Sequence, residues 1–170
     1  MHRYITWNAA MPTTSPAARV STGTATKTML QLATPATRQC QLIRWGYSLD
    51  GITASGQTGQ VELIQTDVAA TVTAHVASGL IGLDPNVPAS LMSLGTAATG
   101  YSASAEGTPA ATRLLDSNLV PVTAGLTEVN YDFQWMPDER PIIAVSKFLR
   151  VRATFTGTGV NMLTWIVWDE

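Results

Sequence analysis

The sequence predicts an all-β fold: a jelly-roll-like antiparallel β-sandwich over residues 25–170, entered by an extended N-terminal arm, residues 1–24. Three observations carry this expectation. Apolar residues recur at every second position in roughly seven or eight short segments, the spacing that puts them on one face of a strand. Gly and Pro punctuate the gaps between those segments, and no long segment carries the spacing of an amphipathic helix. At 170 residues the chain also has the length of a single domain with one core.

In the arm, Pro12, Pro16 and Gly23 sit among many Thr, Ser and Ala, so only Tyr4-Ile5-Thr6-Trp7 has a strand pattern. Tyr4, Ile5 and Trp7 are its expected anchors, against this domain or against a neighbouring chain. Lys27 to Ala33 alternates as a half-buried strand and ends at Thr34-Pro35. Cys40 to Leu49 is the clearest strand, with Ile43, Trp45, Tyr47 and Leu49 on one face. Asp50-Gly51 turns the chain, the Gly-rich Ser55 to Gly59 lengthens the loop, and Val61 to Gln65 resumes a strand. These two strands are expected to form a hairpin with an extended tip.

From Asp67 to Gly107 the pattern weakens, and a long loop with a short helical turn is expected over Val68 to Val76. Pro85 and Pro88 make a turn of Leu83 to Pro88, because each restricts itself and its predecessor. Tyr101 to Gly107 alternates small and polar residues, as an outer strand does. Thr112 to Leu115 is a short strand, Val129 to Trp135 an aromatic alternation, and Met136 to Pro141 a loop, after which Ile142 and Ile143 return to the core. Lys147 to Phe155 alternates Leu149, Val151, Ala153 and Phe155 against Phe148, Arg150, Arg152 and Thr154. Thr156 to Gly159 reads as a hairpin turn before the closing strand, Val160 to Trp168. Both faces of that strand are apolar, so it lies centrally or lends a face to another chain.

Hydrophobic residues make up 45% of the chain and charged residues 13%, about half the usual charged share. Such a surface carries little like-charge repulsion to hold copies apart. A net charge of −2 with only two lysines, Lys27 and Lys147, argues against a nucleic-acid surface. No run approaches the ~18 apolar residues of a membrane helix, and Met1-His2-Arg3 opens no leader-like apolar stretch. Assembly in a cytoplasm is therefore expected.

Cys40 is the only cysteine, which excludes an intramolecular disulfide and a Cys-based structural metal site. His2 and His75 have no metal-ligand spacing, and no Gly-x-Ser-x-Gly elbow accompanies the many serines. Asp138-Glu139 lies in a Pro-bounded turn, Asp169-Glu170 stands last, and Asp84, Asn86 and Asp50 suit turns. Gly56 and Gly59 lack the Lys-Ser/Thr that follows a phosphate loop. Neither catalytic residues nor a cofactor or metal site is expected. Most aromatics fall at strand spacing and belong to the core, although a Trp-rich sandwich can also bind carbohydrate through exposed rings. Trp7 and Trp168 are the expected interface tryptophans, joined by Tyr4, Ile5 and the pair Arg150 and Arg152.

Several segments carry a resemblance: Val68 to Val76, Gly95 to Tyr101, Glu106-Gly107-Thr108, Ser146 to Arg152, and the closing Trp165 to Glu170. Over most of residues 22–170 the chain resembles small virion structural proteins of tailed bacteriophages that infect actinobacteria. The resemblance implies a subunit decorating the capsid exterior, a β-rich homotrimer bound to the major capsid protein, with neither nucleic acid nor membrane as partner. It carries over no individual binding residue. A minor tail or fibre protein that binds host-surface glycans is the alternative, and a cell-wall hydrolase the reading from a different class.

Overall fold

The computed structural model describes residues 2–50, 58–120 and 128–170. It is nearly all strand. In chain order the strands are β1 (Arg3–Trp7), β2 (Val20–Ser21), β3 (Lys27–Ala33), β4 (Cys40–Asp50), β5 (Gly59–Thr66), β6 (Thr71–Ala74) and β7 (Ile81–Gly82). They continue as β8 (Gly100–Ala105), β9 (Thr112–Val120), β10 (Glu128–Gln134), β11 (Ile142–Ile143), β12 (Phe148–Phe155) and β13 (Asn161–Asp169). Single 3₁₀ turns occupy Ala77–Gly79 and Pro137–Glu139.

Two antiparallel sheets pack face to face. One runs β10-β4-β13-β1-β7, with β11 added to β4 and β2 to β13; the other runs β6-β8-β3-β12-β5-β9. The pairing is nested, first strand with last: β1 with β13, β3 with β12, β4 with β10 and β5 with β9. Then β13 lies beside β4, and β12 beside β5. Residues 67–111, which carry β6, β7 and β8, extend one edge of both sheets.

Between the sheets, Leu42, Trp45, Tyr47, Leu49, Met162, Ile166 and Trp168 meet Leu30, Leu32, Val61, Leu63, Leu149, Val151 and Phe155, all buried. Each such side chain contributes roughly 1.5–3 kcal/mol by leaving water, which is why the period-two positions dominate strand placement.

Four expectations change. Cys40–Asp50 and Gly59–Thr66 are strands, but β4 and β5 lie in different sheets and form no hairpin. Each has an apolar face that needs the opposite sheet, and the two layers stand roughly 10 Å apart. Gly51 of the expected Asp50-Gly51 turn and most of the Ser55 to Gly59 loop lie outside the described residues. Thr156 to Gly159 likewise crosses the sandwich from β12 to β13 instead of closing a hairpin, with Gly157 at φ 89°. Within Val68 to Val76 the chain forms β6, and its helical turn comes just after, at Ala77–Gly79. Strand β8 is not outermost, since β6 covers its edge.

The N-terminal 24 residues are not one arm. Strand β1 is an interior member of its sheet, between β13 and β7, with Tyr4 paired to Trp168 and Trp7 to Trp165. Asn8 continues the seam: its amide donates to the Met162 carbonyl and its Oδ1 accepts from the Thr164 N–H, each at 2.9 Å. Residues 10–16 are exposed coil.

Candidate functional site

Chemistry in this fold concentrates in three places, each built by a strand alternation with a different environment on its outer side. The first lies on the outside of the second sheet. Alternation turns Arg150 outward from β12, yet it is 0% exposed, because residues 67–107 lie across it. Its guanidinium donates to the Glu106 carbonyl at 3.0 Å, to the Val68 carbonyl, and stands 3.5 Å from the Glu106 carboxylate. Gln31, opposite Arg150 on β3, accepts from the Ala70 N–H at 2.8 Å and donates to the carbonyls of Ala70 and Ala98. Burial pulls the Arg150 pKa down, and the Glu106 charge opposes that. Arg150 therefore fastens the crossing segment and presents nothing to a neighbour. Arg152, half-buried, pairs with Glu62 at 2.8 Å.

The second place is the open edge between β9 and β10. A register shift at Leu115 lets β9 aim Asp116 and Asn118 inward. Asp116 Oδ2 accepts from Trp45 Nε1 at 3.0 Å and from the Tyr131 hydroxyl at 2.8 Å, while Asn118 accepts from the Tyr47 hydroxyl at 3.1 Å. Tyr47 and Tyr131 stack at 5.3 Å. Burial, helped by Asp116, raises the Tyr131 phenol to about 12, and burial raises Tyr47 as well. Both phenols stay protonated donors. The network is a polar closure of the sandwich edge, and the sequence carries no signal for it, because Asp116 turns inward only through the register shift at Leu115 and its donor Trp45 lies 71 residues away.

The third place is the outer face of the first sheet. Ile5 and Trp7 on β1 and Leu163, Trp165 and Val167 on β13 project here, with Trp7 and Trp165 in contact at 5.2 Å between ring centres. Trp165 lies over Gly46 of β4, where an added Cβ would come within 2.4 Å of the indole. Lacking a side chain, Gly46 gives the ring a flat floor. Ile5, Trp7, Leu163 and Trp165 are all half-buried. At this end a groove of about 250 Å³ runs between Trp7, Leu163, Ile81 and residues 9–17. At the other end, a pocket of about 500 Å³ is lined by Arg3, Arg44, Arg140 and Asp169 over Ile5, Ile43 and Val167.

Of the six residues expected at an interface, this face brings together two, Ile5 and Trp7. Tyr4 and Trp168 are turned the other way and stack on each other at 5.7 Å inside the core, where the Tyr4 hydroxyl reaches the Pro88 carbonyl at 2.9 Å. Their burial, like that of Arg150, follows from the strand period: each occupies a position whose outer cover or inner packing comes from this same chain. Trp165 was legible as one of two apolar faces of the closing strand, but which face is covered depends on the rest of the fold.

His75 is buried and bridges elements: Nε2 donates to the Trp7 carbonyl at 2.8 Å, lies 3.3 Å from the Thr6 hydroxyl, and the ring contacts Tyr101. Burial lowers its pKa, with the Trp7 hydrogen bond opposing. Cys40 is buried and its thiol is pushed up to about 12, first by burial and then by the Glu170 charge. Asp138 and Glu139 sit exposed in their 3₁₀ turn. Among the described residues, no three His, Cys, Asp or Glu side chains gather as metal ligands, and no helix is long and apolar enough to cross a membrane. No family model matches the chain, and no curated protein or solved structure matches it either.

Proposed function

We propose that this chain is a virion structural subunit of a tailed bacteriophage, a decoration protein that binds the outside of the mature head and cements it. On this reading the major capsid protein is its partner, three copies associate, and the protein has no catalytic role. The observation that carries it is the apolar stripe on the outer face of the first sheet, where Ile5, Trp7, Leu163 and Trp165 are half-exposed and Val167 is buried beside them. Covering such a stripe is worth roughly 25 cal/mol for each Å² removed from water, and paired tryptophans are the side chains that most often dominate an interface. A charged share of 13% adds support, since subunits crowded on a shell meet little mutual repulsion. The nested strand order is read here as a jelly roll, an arrangement found in viral capsid domains. A subunit that binds only the mature shell stabilises it by linkage, and repeated weak contacts over many copies add up.

The test is occupancy on purified mature heads. Trp7→Ser with Trp165→Ser, in a protein whose circular dichroism is unchanged, is expected to lower occupancy at least tenfold, as ~1.4 kcal/mol of lost contact would. Undiminished occupancy sinks the reading. The same tryptophan pair also has the form of a sugar-stacking platform, which favours the second reading, a tail or fibre protein. Binding to purified host envelope glycans, abolished by the same variant while heads bind normally, would select it.

A further inference from the structure

The arginines sort themselves by whether a carboxylate meets them. Arg19, Arg44, Arg150 and Arg152 pair with Asp50, Asp132, Glu106 and Glu62, and Arg113 donates to the Ile142 carbonyl. Among the described residues, Arg3, Arg38 and Arg140 form no ion pair. All three line two adjoining pockets that share Asp169. Unpaired guanidinium groups are thus concentrated in one place on a chain whose net charge is −2.

Inside that place are orphaned polar atoms of both kinds. Asp169 is 4% exposed, and its buried Oδ1 has no hydrogen-bond partner; the buried Nε of Arg140 has none either. A buried acceptor and a buried donor left unmade are both costly, and an occupant that offers a donor and an acceptor together suits both. A simple anion would meet the Asp169 carboxylate, and a simple cation would meet three arginines including Arg44. A peptide segment with an acidic side chain offers both: its main-chain N–H suits Asp169, and its carboxylate suits guanidinium groups. The floor of Ile5, Ile43 and Val167 suits an apolar neighbour of that acidic residue.

We propose that this pocket receives an acidic, partly apolar peptide segment of the partner protein, seated on the same face as the tryptophan pair. Continuity supports one occupant, because Ile5 opposes Val167 two positions along β1 from where Trp7 opposes Trp165. The inference rests on the docking-face reading given above and names the chemistry of what docks.

The experiment uses the purified full chain and a short, capped, fluorescent peptide alternating glutamate with leucine, followed by anisotropy at low salt. The expected result is binding that weakens about tenfold when glutamine replaces glutamate, and about fivefold in Arg3→Gln or Arg140→Gln, the scale of one charge-assisted contact. Lys27→Gln, on the other sheet, serves as the control and leaves binding unchanged. Asp169→Asn weakens the peptide but would strengthen a simple anion. Equal binding of the glutamine peptide, indifference to both arginine changes, displacement by equimolar inorganic phosphate, tighter capture of a DNA oligonucleotide, or self-association lost in Arg3→Gln would each overturn the proposal. Since no capsid enters this assay, its failure leaves the occupancy result on heads standing, and the converse holds.

Discussion

A guanidinium with no exposed surface on the outward side of a strand is defined by what lies over it. Arg150 is such a group, and the carbonyls of Val68 and Glu106 are what it holds. Replacing it with alanine leaves those acceptors and the neighbouring Glu106 carboxylate beneath a collapsed cover. Arg150→Ala is expected to cost about 3 kcal/mol, the scale of breaking a buried ion pair from one side, measured by urea unfolding. Arg152→Ala, at a half-exposed pair, should cost under about 1 kcal/mol. The alternation of Phe148 to Phe155 already places both arginines on one face. Their opposite fates were not legible, because the cover over Arg150 arrives from residues 67–107, far away in sequence. Trp7 and Tyr4 teach the same lesson from the other direction: three residues apart, they stand on opposite faces of one short strand, and only the packing says which face is core.

Between elements, the structure joins segments that the sequence separates. Strand β1 is held by β13 along its length, and His75 ties it to the segment after β6 through Thr6 and the Trp7 carbonyl. Thr6 also donates to the Gly79 carbonyl at 2.7 Å, and the Tyr101 ring of β8 closes the other side of the imidazole. This junction has a pH signature. Burial lowers the His75 pKa in the folded chain, so the unfolded chain takes up the proton first as pH falls. Stability should be independent of this group above about pH 6.5, the ordinary histidine value, and should fall below it until the lowered native pKa is passed. Melting temperature against pH is the measurement, and His75→Asn should flatten that part of the profile. The same junction alters what an N-terminal truncation means: removing residues 1–9 takes away an interior strand, so lost head occupancy in that variant would report on folding and not on docking. The strand pattern of Tyr4 to Trp7 was visible, whereas its place inside the sheet was not, because its partner lies at the far end of the chain.

For the whole molecule, nested pairing puts the first strand beside the last and makes most contacts between residues distant in sequence. Neither sheet is a continuous stretch of chain, and both bury their apolar faces in one core. Unfolding is therefore expected to be a single transition, with tryptophan fluorescence and far-ultraviolet circular dichroism superimposing against denaturant. Two separated midpoints would show that the sheets melt independently. Folding should be slow for the size, since loops must close before long-range pairs form. The sequence by itself determined where the long, strongly alternating strands lie, because period-two alternation and Gly/Pro turns are local properties of the chain; β6 fell in an expected loop, and Ile43 turned from the expected core face to the outer one at a register shift. Lys27–Ala33, Cys40–Asp50 and Phe148–Phe155 were readable on that ground. Only the tertiary structure decided that the expected hairpins are crossings between sheets, that Arg150 lies under a cover, and that Trp165 with Trp7, instead of Trp168, faces outward. The physical reason is the same in each case: strand pairing and the covering of a face depend on residues from some forty to more than a hundred positions away, about which local alternation carries no information.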